Sequence, residues 1–416
     1  MRIAFINQPL SAFKVPPNSS VAIWQWEVAK RLVPEHDVLI VGRREKRQPA
    51  DQYLAGVRIQ RLTVAKDWRG LRRLARWVEK KINAQKQAYA LSYYHLDYIV
   101  QAAWAARQWG AEVIQLQNFA QFAPVVRFFN PKAKILLHMH SEWLMHLDRA
   151  TLVERLRPLD SVISCCEFIT QGTAARFPEY AGRFITIFNG VDTQALATLP
   201  APAERLHQQV LFVGRVSPEK GVHVLVEAFS RVAAQFPNAH LQIVGATKQL
   251  PLDMLLGLNE DPAVKALARF YNGAEQHYFN TLQSQVQNMG LSERIKFLGP
   301  QPYDQILNFY RQADVYVQCT FWDAFPIPVV EAMAVGLPVI GSRVGGIAEA
   351  VTENSTGLLV AHNDVDGLAA ALIQLLGSAE LRAQFGRAAQ HRAQADFSWE
   401  SIAARARQHY AALLGR

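Results

Sequence analysis

Long apolar runs are missing from this chain. No stretch reaches eighteen consecutive apolar residues, so no membrane-spanning helix is expected. Cysteine is scarce as well. The three present are Cys165, Cys166 and Cys319; two are adjacent and none has metal-ligand spacing. That usage points to a reducing cytoplasm rather than a disulfide framework. The opening "MRIAFINQP" reads as a first strand and lacks the basic-then-apolar pattern of a secretion signal. "INQPLSAF" stands where a dinucleotide-binding fold would place G-x-G-x-x-G. This counts against a nicotinamide-dependent oxidoreductase built from tandem Rossmann domains.

What is present is an ordinary globular balance, with half of the 416 residues apolar, enough for two domains and a large core. The charge is unevenly placed. Residues 1–200 carry 27 Lys+Arg against 16 Asp+Glu, a net of +11, while residues 201–416 carry 17 against 19, a net of −2. Such a split suggests halves with different partners, the basic half favouring an anionic surface or acceptor.

Strand and helix signals alternate, which indicates an α/β architecture with parallel sheets. In the first half strands are expected at "RIAFIN", "DVLIVG", "VRIQRL", "EVIQLQ", "KILLHMH" and "SVISCC". The helix "SVAIWQWEVAKRL" has Ser19 or Ser20 to cap it. The pattern restarts at "QVLFVGRV" and continues through "HLQIVGA", "IKFLG", "DVYVQCT" and "LPVIGS". The Pro/Ala stretch "ALATLPAPAERLHQQ" reads as a linker, giving a domain of residues 1–200 and another of 201–416. The segment after "LQIVGA" is too long for one crossover helix, so an insertion is expected around 247–274 before the helix "AEQHYFNTLQSQVQNMG". An amphipathic helix closes the chain at about 398–416.

Two stretches carry polar groups at expected strand ends, where open α/β sheets bind ligands. In "FWDAFPIPVVEAMAVGLPVIGSRVGG", residues 321–346, Asp323 and Glu331 flank a helix start containing Pro328. A helix N-terminus attracts phosphate, and a carboxylate accepts hydrogen bonds from the paired hydroxyls of a ribose. Together they suit a nucleoside-diphosphate sugar; alternatively Glu331 only favours the dipole of the first turn. In "LFVGRVSPEKG", residues 211–221, Arg215 and Lys220 leave a strand end. They can neutralise a departing diphosphate, or stand as two surface cations on a solvated loop.

The ordered series "LFVGRVSPEKGVHVLVEAF", "IKFLGPQPYDQILNFYRQADVYVQCT", "DAFPIPVVEAMAVGLPVIGSRVGGIAEAV" and "STGLLVAHNDVDGLAAAL" resembles the carboxyl-terminal half of retaining family 4 glycosyltransferases, the group 1 type. The resemblance covers nearly all of residues 210–416. "EHDVLIVGRR", "KILLHMHSEWL", "SVISCCEFITQG" and "ITIFNGVDT" are similar to the family's looser amino-terminal pattern. It implies the GT-B fold, two doubly wound Rossmann-like domains facing across a cleft, with a C-terminal helix that returns to the first domain. It implies transfer of a hexosyl group from a nucleotide-diphosphate sugar with retention of configuration, without metal or other cofactor.

By the same resemblance Arg215 and Lys220 hold the diphosphate, Phe325, Pro326 and Ile327 form the donor-binding turn, and Glu331 holds the ribose. Asp323 stands where the family has glutamate, one methylene longer, in contact with the transferred sugar. His140 matches the histidine near the reacting sugar. His138 and His140 in "HMH" share one face of a strand; they are either a pair directed at one site or two histidines satisfied at a strand end, and no third ligand at a recognisable spacing supports zinc. The family's glycine pair in the first loop is replaced by "PPNSS", residues 16–20.

The expected partners are a nucleotide sugar and a saccharide or lipid-linked acceptor, in surface polysaccharide, lipopolysaccharide or glycolipid synthesis. "KDWRGLRRLARWVEKKINAQK", residues 66–86, fits an amphipathic helix rich in Arg and Lys. It suits either the anionic inner face of a membrane or packing on the sheet. No nucleic-acid motif is found. The second reading is a transferase-like protein that binds a nucleotide sugar with little turnover.

Overall fold

A computed structural model describes residues 1–17, 19–64, 94–198, 207–247, 249, 251–252, 255, 261–271 and 277–416. The basic stretch 66–86, residues 199–206 of the expected linker and much of the expected insertion lie outside these. The chain forms two units, Met1–Phe188 with Trp399–Arg416, and Asn189–Ser398. The second begins ahead of the boundary expected near residue 200. Val191 accounts for this, because its N–H bonds Phe397 O at 2.8 Å, tying the unit's first residues to its last.

The first unit holds an eight-stranded sheet in the order β3-β4-β2-β1-β5-β6-β7-β8. Its strands are β1 Arg2–Ile6, β2 Asp37–Arg43, β3 Asp51–Leu54, β4 Val57–Leu62, β5 Val113–Gln117, β6 Lys134–Met139, β7 Ser161–Ser164 and β8 Phe184–Thr186. All pairings are parallel except β3 with β4. Central strands are continuously apolar, as parallel strands covered on both faces must be: Ile3, Ala4, Phe5 and Ile6 are buried, as are Val38, Leu39, Ile40 and Val41. The helix Ser20–Leu32 starts at Ser19, whose hydroxyl accepts from Ala22 N–H at 3.3 Å. The terminal helix Trp399–Leu413 belongs to this unit, and Trp399, Ile402, Ala406 and Tyr410 join the core of Phe5, Trp24 and Ile163.

The second unit holds a six-stranded parallel sheet in the order β11-β10-β9-β12-β13-β14. Its strands are β9 Gln209–Val213, β10 His240–Val244, β11 Ile295–Gly299, β12 Val315–Gln318, β13 Val339–Ser342 and β14 Gly357–Val360. From β9 the chain winds outward through β10 and β11, then returns to pair β12 against β9, with Val315 opposite Val210 and Tyr316 opposite Leu211. The strand order therefore reverses between β9 and β12, and the carboxyl ends of these two strands lie side by side. The crossover helix into β11 is His277–Asn288. Within the insertion, Asp261 caps the turn Pro262–Lys265, and Val264 and Leu267 enter the core.

Candidate functional site

Arg215, Lys220 and Asp323 leave the carboxyl ends of β9 and β12, the two strands at the reversal. The loop after β9 is not the solvated loop that two cations might suggest. Val216, Ser217, Pro218 and Glu219 are buried, while Gly214, Arg215 and Lys220 are partly open to solvent. Glu219 organises the turn. Its Oε1 accepts from Ser217 Oγ at 2.6 Å and from Arg215 Nη2 at 3.0 Å. Its backbone carbonyl accepts from Thr320 Oγ1 at 2.8 Å and from Phe321 N–H at 2.9 Å, which stitches the β9 exit to the β12 exit. Lys220 Nζ pairs with Asp323 Oδ2. Both cations are thus aimed by carboxylates rather than left loose.

The helix Ile327–Val335 follows. Pro326 caps it and Pro328 lies in its first turn. Neither proline has an N–H, so this turn offers fewer donors to an anion than an ordinary helix start. Phe325 and Pro326 are buried; the Phe325 ring packs on Phe397 with centroids 5.5 Å apart, and Asn189 Nδ2 donates to Phe325 O at 3.4 Å. A glycine pair fixes this loop from behind. Gly346 N–H donates to Ala324 O at 2.9 Å. Gly345 has φ +43°, and a Cβ on Gly345 or Gly346 would collide with the carbonyl of Asp323 or Ala324 respectively.

Glu331 is the fifth residue of its helix, and the first turn contains no acid. It therefore does not serve the dipole of that turn. It is 7% exposed. Tyr303 donates to Oε1 and Tyr310 to Oε2, each at 2.9 Å. Burial pushes the carboxyl above its ordinary range, and the two tyrosyl donors pull it back. A helix-facing core position would carry an apolar residue; a buried acid held by two hydroxyl donors is arranged to accept hydrogen bonds.

His140 belongs to the first unit, immediately after β6. Its N–H donates to Asn118 Oδ1 at 2.7 Å, and Nε2 lies 2.9 Å from Gln117 Oε1. The rings of His138 and His140 are 4.0 Å apart, on one side of the strand. His138 is a core residue rather than a second group for the same site. It is fully buried, 4.3 Å from Trp24 ring to ring, and 3.2 Å from Gln115 Nε2 through Nδ1. Burial first, then the neighbouring His140, holds its imidazole well below its ordinary value. In the "PPNSS" loop, the Ser19 hydroxyl is spent on capping the helix Ser20–Leu32. Cys165, Cys166 and Cys319 are buried free thiols. Among the described residues no three His, Cys, Asp or Glu side chains converge as a metal site.

Three residues of this region escape the motif reading: Glu219, Tyr303 and Tyr310. Glu219 was visible only as part of "SPEKG", between the two cations. Tyr310 is five residues before the buried start of β12, and nothing in its spacing announces a partner twenty-one positions on. Tyr271, from the insertion, is a fourth. Its hydroxyl is buried with no hydrogen-bond partner, and burial together with the Glu219 charge pushes it up to about 12.

Residues 204–392 match the family model for group 1 glycosyl transferases. Glycogen synthase of Mycobacterium tuberculosis is 26% identical over 324 residues, covering 74% of this chain and 70% of that protein. D-inositol 3-phosphate glycosyltransferase of Corynebacterium glutamicum is 33% identical over 202 residues, covering 48% of this chain and 42% of that enzyme. Among solved structures, sucrose-phosphate synthase of Thermosynechococcus elongatus superimposes with a TM-score of 0.68 at 23% identity over 100% of this chain and 99% of that one. The Anabaena protein HepE in complex with UDP does so with a TM-score of 0.67 at 18% identity over 99% and 100%. At these identities the likeness establishes the fold, which is GT-B.

Proposed function

We propose, from the premise that residues 204–392 carry a group 1 glycosyl transferase domain, that the protein transfers a hexosyl group from a nucleoside-diphosphate sugar with retention of configuration and without a metal. The observation that carries this reading is the convergence at the β9–β12 reversal of two aimed cations, Arg215 and Lys220, with Asp323 and the buried acceptor Glu331. The cations take the diphosphate and stabilise its charge as the sugar–phosphate bond breaks. Glu331 accepts from the ribose, and the backbone of Phe325, Pro326 and Ile327 borders the phosphates. Asp323 meets the transferred sugar, and His140 serves to orient a sugar by donating a hydrogen bond.

The acceptor is a saccharide or lipid-linked saccharide of surface polysaccharide, lipopolysaccharide or glycolipid synthesis, at the cytoplasmic face of a membrane. The net charge of +11 over residues 1–200 supports the choice of an anionic surface, with residues 66–86 as the contact. A second reading, nucleotide-sugar binding with weak turnover, is favoured by one contact: Lys220 is already neutralised by Asp323.

A thermal-shift panel of uridine, guanosine, adenosine and thymidine diphosphates and their sugars tests the reading. A ligand at a hundredfold its Kd adds about 2.7 kcal/mol. No shift with any of them overturns it. Where a sugar nucleotide does stabilise the protein, donor consumption in chelator separates transfer from binding alone, and the anomeric configuration of the product tests retention.

A further inference from the structure

We propose that Tyr303 is a placeholder: its hydroxyl occupies, on Glu331 Oε1, the position that a ribose hydroxyl takes when a nucleotide binds. This rests on the assignment of Glu331 to the ribose. The two oxygens of Glu331 are held by unlike groups. Tyr310 is fully buried, and its hydroxyl lies 2.9 Å from Oε2 and 3.3 Å from Pro328 O, beside the equally buried Tyr316 ring at 5.8 Å. It cannot leave without opening the core. Tyr303 is 55% exposed and is the first residue of the helix Tyr303–Gln312. Its ring stands at the surface, with solvent to turn into.

Glu331 itself is only 7% exposed. A ligand hydroxyl that is to reach a covered carboxylate oxygen must replace something, and of the two groups bonded to that carboxylate only Tyr303 is replaceable. The exchange breaks one O–H···O bond to Oε1 and forms another, while the tyrosyl hydroxyl regains water. The carboxylate is never stripped of its donor, which matters because burial disfavours its charge. The cost is a tax on affinity, since the nucleotide competes with a resident donor.

Removing the Tyr303 hydroxyl removes the competitor and leaves Oε1 short of a donor until a ribose supplies one. Tyr303→Phe should therefore bind a ribonucleoside diphosphate about threefold to tenfold more tightly than wild type, the range expected for one hydrogen bond. The 2′,3′-dideoxy analogue has no hydroxyl to offer and gains nothing, so the ribo-to-dideoxy affinity ratio widens by the same factor. A loss of packing alone would move both ligands together.

The experiment measures Kd by calorimetry for wild type, Tyr303→Phe and Glu331→Gln. The probes are whichever of UDP, GDP and ADP raises the melting temperature most, and its 2′,3′-dideoxy form. A ratio that widens in Tyr303→Phe and narrows in Glu331→Gln supports the proposal. A ratio that narrows in Glu331→Gln but is unchanged or smaller in Tyr303→Phe overturns the placeholder and leaves the ribose assignment standing. A ratio unchanged in Glu331→Gln overturns the ribose assignment and the placeholder with it, as does absence of nucleotide binding by wild type. The Phe variant keeps the ring on a half-exposed helix start, so any fall in its melting temperature without ligand reports the donor lost from Oε1, and that control accompanies the titrations.

Discussion

Lys220 Nζ donates to Asp323 Oδ2, and the two side chains are only 17% and 16% exposed. The pair joins the end of the turn after β9 to the loop after β12, so each residue fixes the other's direction. If Lys220 holds the diphosphate and Asp323 faces the sugar, as proposed, a bound diphosphate must share Lys220 with Asp323 or draw it away. Asp323→Asn keeps the shape and removes the competing charge. Nucleoside diphosphate affinity should then rise several-fold, while turnover of the sugar nucleotide falls because the acid facing the sugar is lost. Asp323→Glu should retain turnover. Calorimetry with the diphosphate and steady-state kinetics with its sugar check both halves. Unchanged turnover in Asp323→Asn, or weaker diphosphate binding, would remove Asp323 from the site.

Arg215 and Lys220 make the same prediction in different degrees. Loss of one contact to charge that develops in the transition state typically lowers kcat by about a hundred- to a thousandfold. Lys220→Ala should fall in that range and melt near wild type. Arg215→Ala should lose as much activity and also some stability, because it strips a partner from Glu219, which is 1% exposed and already has one oxygen without a hydrogen bond. Arg215→Lys keeps the charge but not the fork, so it should recover the melting temperature more fully than the turnover. Wild-type turnover in either alanine variant would show that the diphosphate is bound elsewhere.

Much of the fold is legible in the sequence. Buried parallel strands are continuous apolar runs, and eleven of them stood out between turn residues. The three that did not are β3, which is short and mostly exposed, and β8 and β14, which are three and four residues long. Such edge strands have too few side chains to show a pattern. The positions of Arg215, Lys220 and Asp323 after β9 and β12 were legible because strand ends are what sequence locates well. Their partners were not. The bond between Lys220 and Asp323 spans 103 positions, and that between Tyr310 and Glu331 spans 21. Only the strand order decides which ends become neighbours. The alternative reading of Glu331 as a first-turn acid fails on where the helix begins, a boundary set by Pro326 and the loop pinned by Gly345 and Gly346.

Glu331 also carries a pH signature. Its ordinary pKa is 4.5, and burial raises it in the native state against the tyrosyl donors. An acid with a raised native pKa keeps its proton in the folded state where the unfolded chain has lost it. The stability of the wild type is therefore full below the unfolded value and declines as pH rises through the native one. Glu331→Gln lacks that decline. Its melting temperature, relative to wild type, should be higher at neutral pH than at about pH 4, while its nucleotide affinity is lower. A melting-temperature difference that does not change with pH would mean that the carboxylate carries no desolvation cost.

The terminal helix should matter to the first unit through one buried bond and one apolar face. Tyr410 donates to Gln115 Oε1 at 2.5 Å, and Gln115 Nε2 lies 3.2 Å from His138 Nδ1. His138 in turn lies against Trp24 and the His140 ring. Tyr410→Phe keeps the packing and leaves the buried Gln115 oxygen without its donor, a loss of about 1–3 kcal/mol. Deleting residues 399–416 goes much further. Trp399, Ile402, Ala403, Ala406 and Tyr410 are all buried against Ile3, Phe5, Trp24 and Ile163, and loss of a single buried Trp side chain already costs about 3–5 kcal/mol. The truncated chain should lose the cooperative melting of the first unit. The second unit ends at Ser398 and keeps its own sheet, so nucleotide binding should survive the deletion. Thermal melts and nucleotide titrations of the full chain, Tyr410→Phe and the truncation check this. A truncated protein that melts as the full chain does would mean that the helix Trp399–Leu413 is not part of the first unit's core.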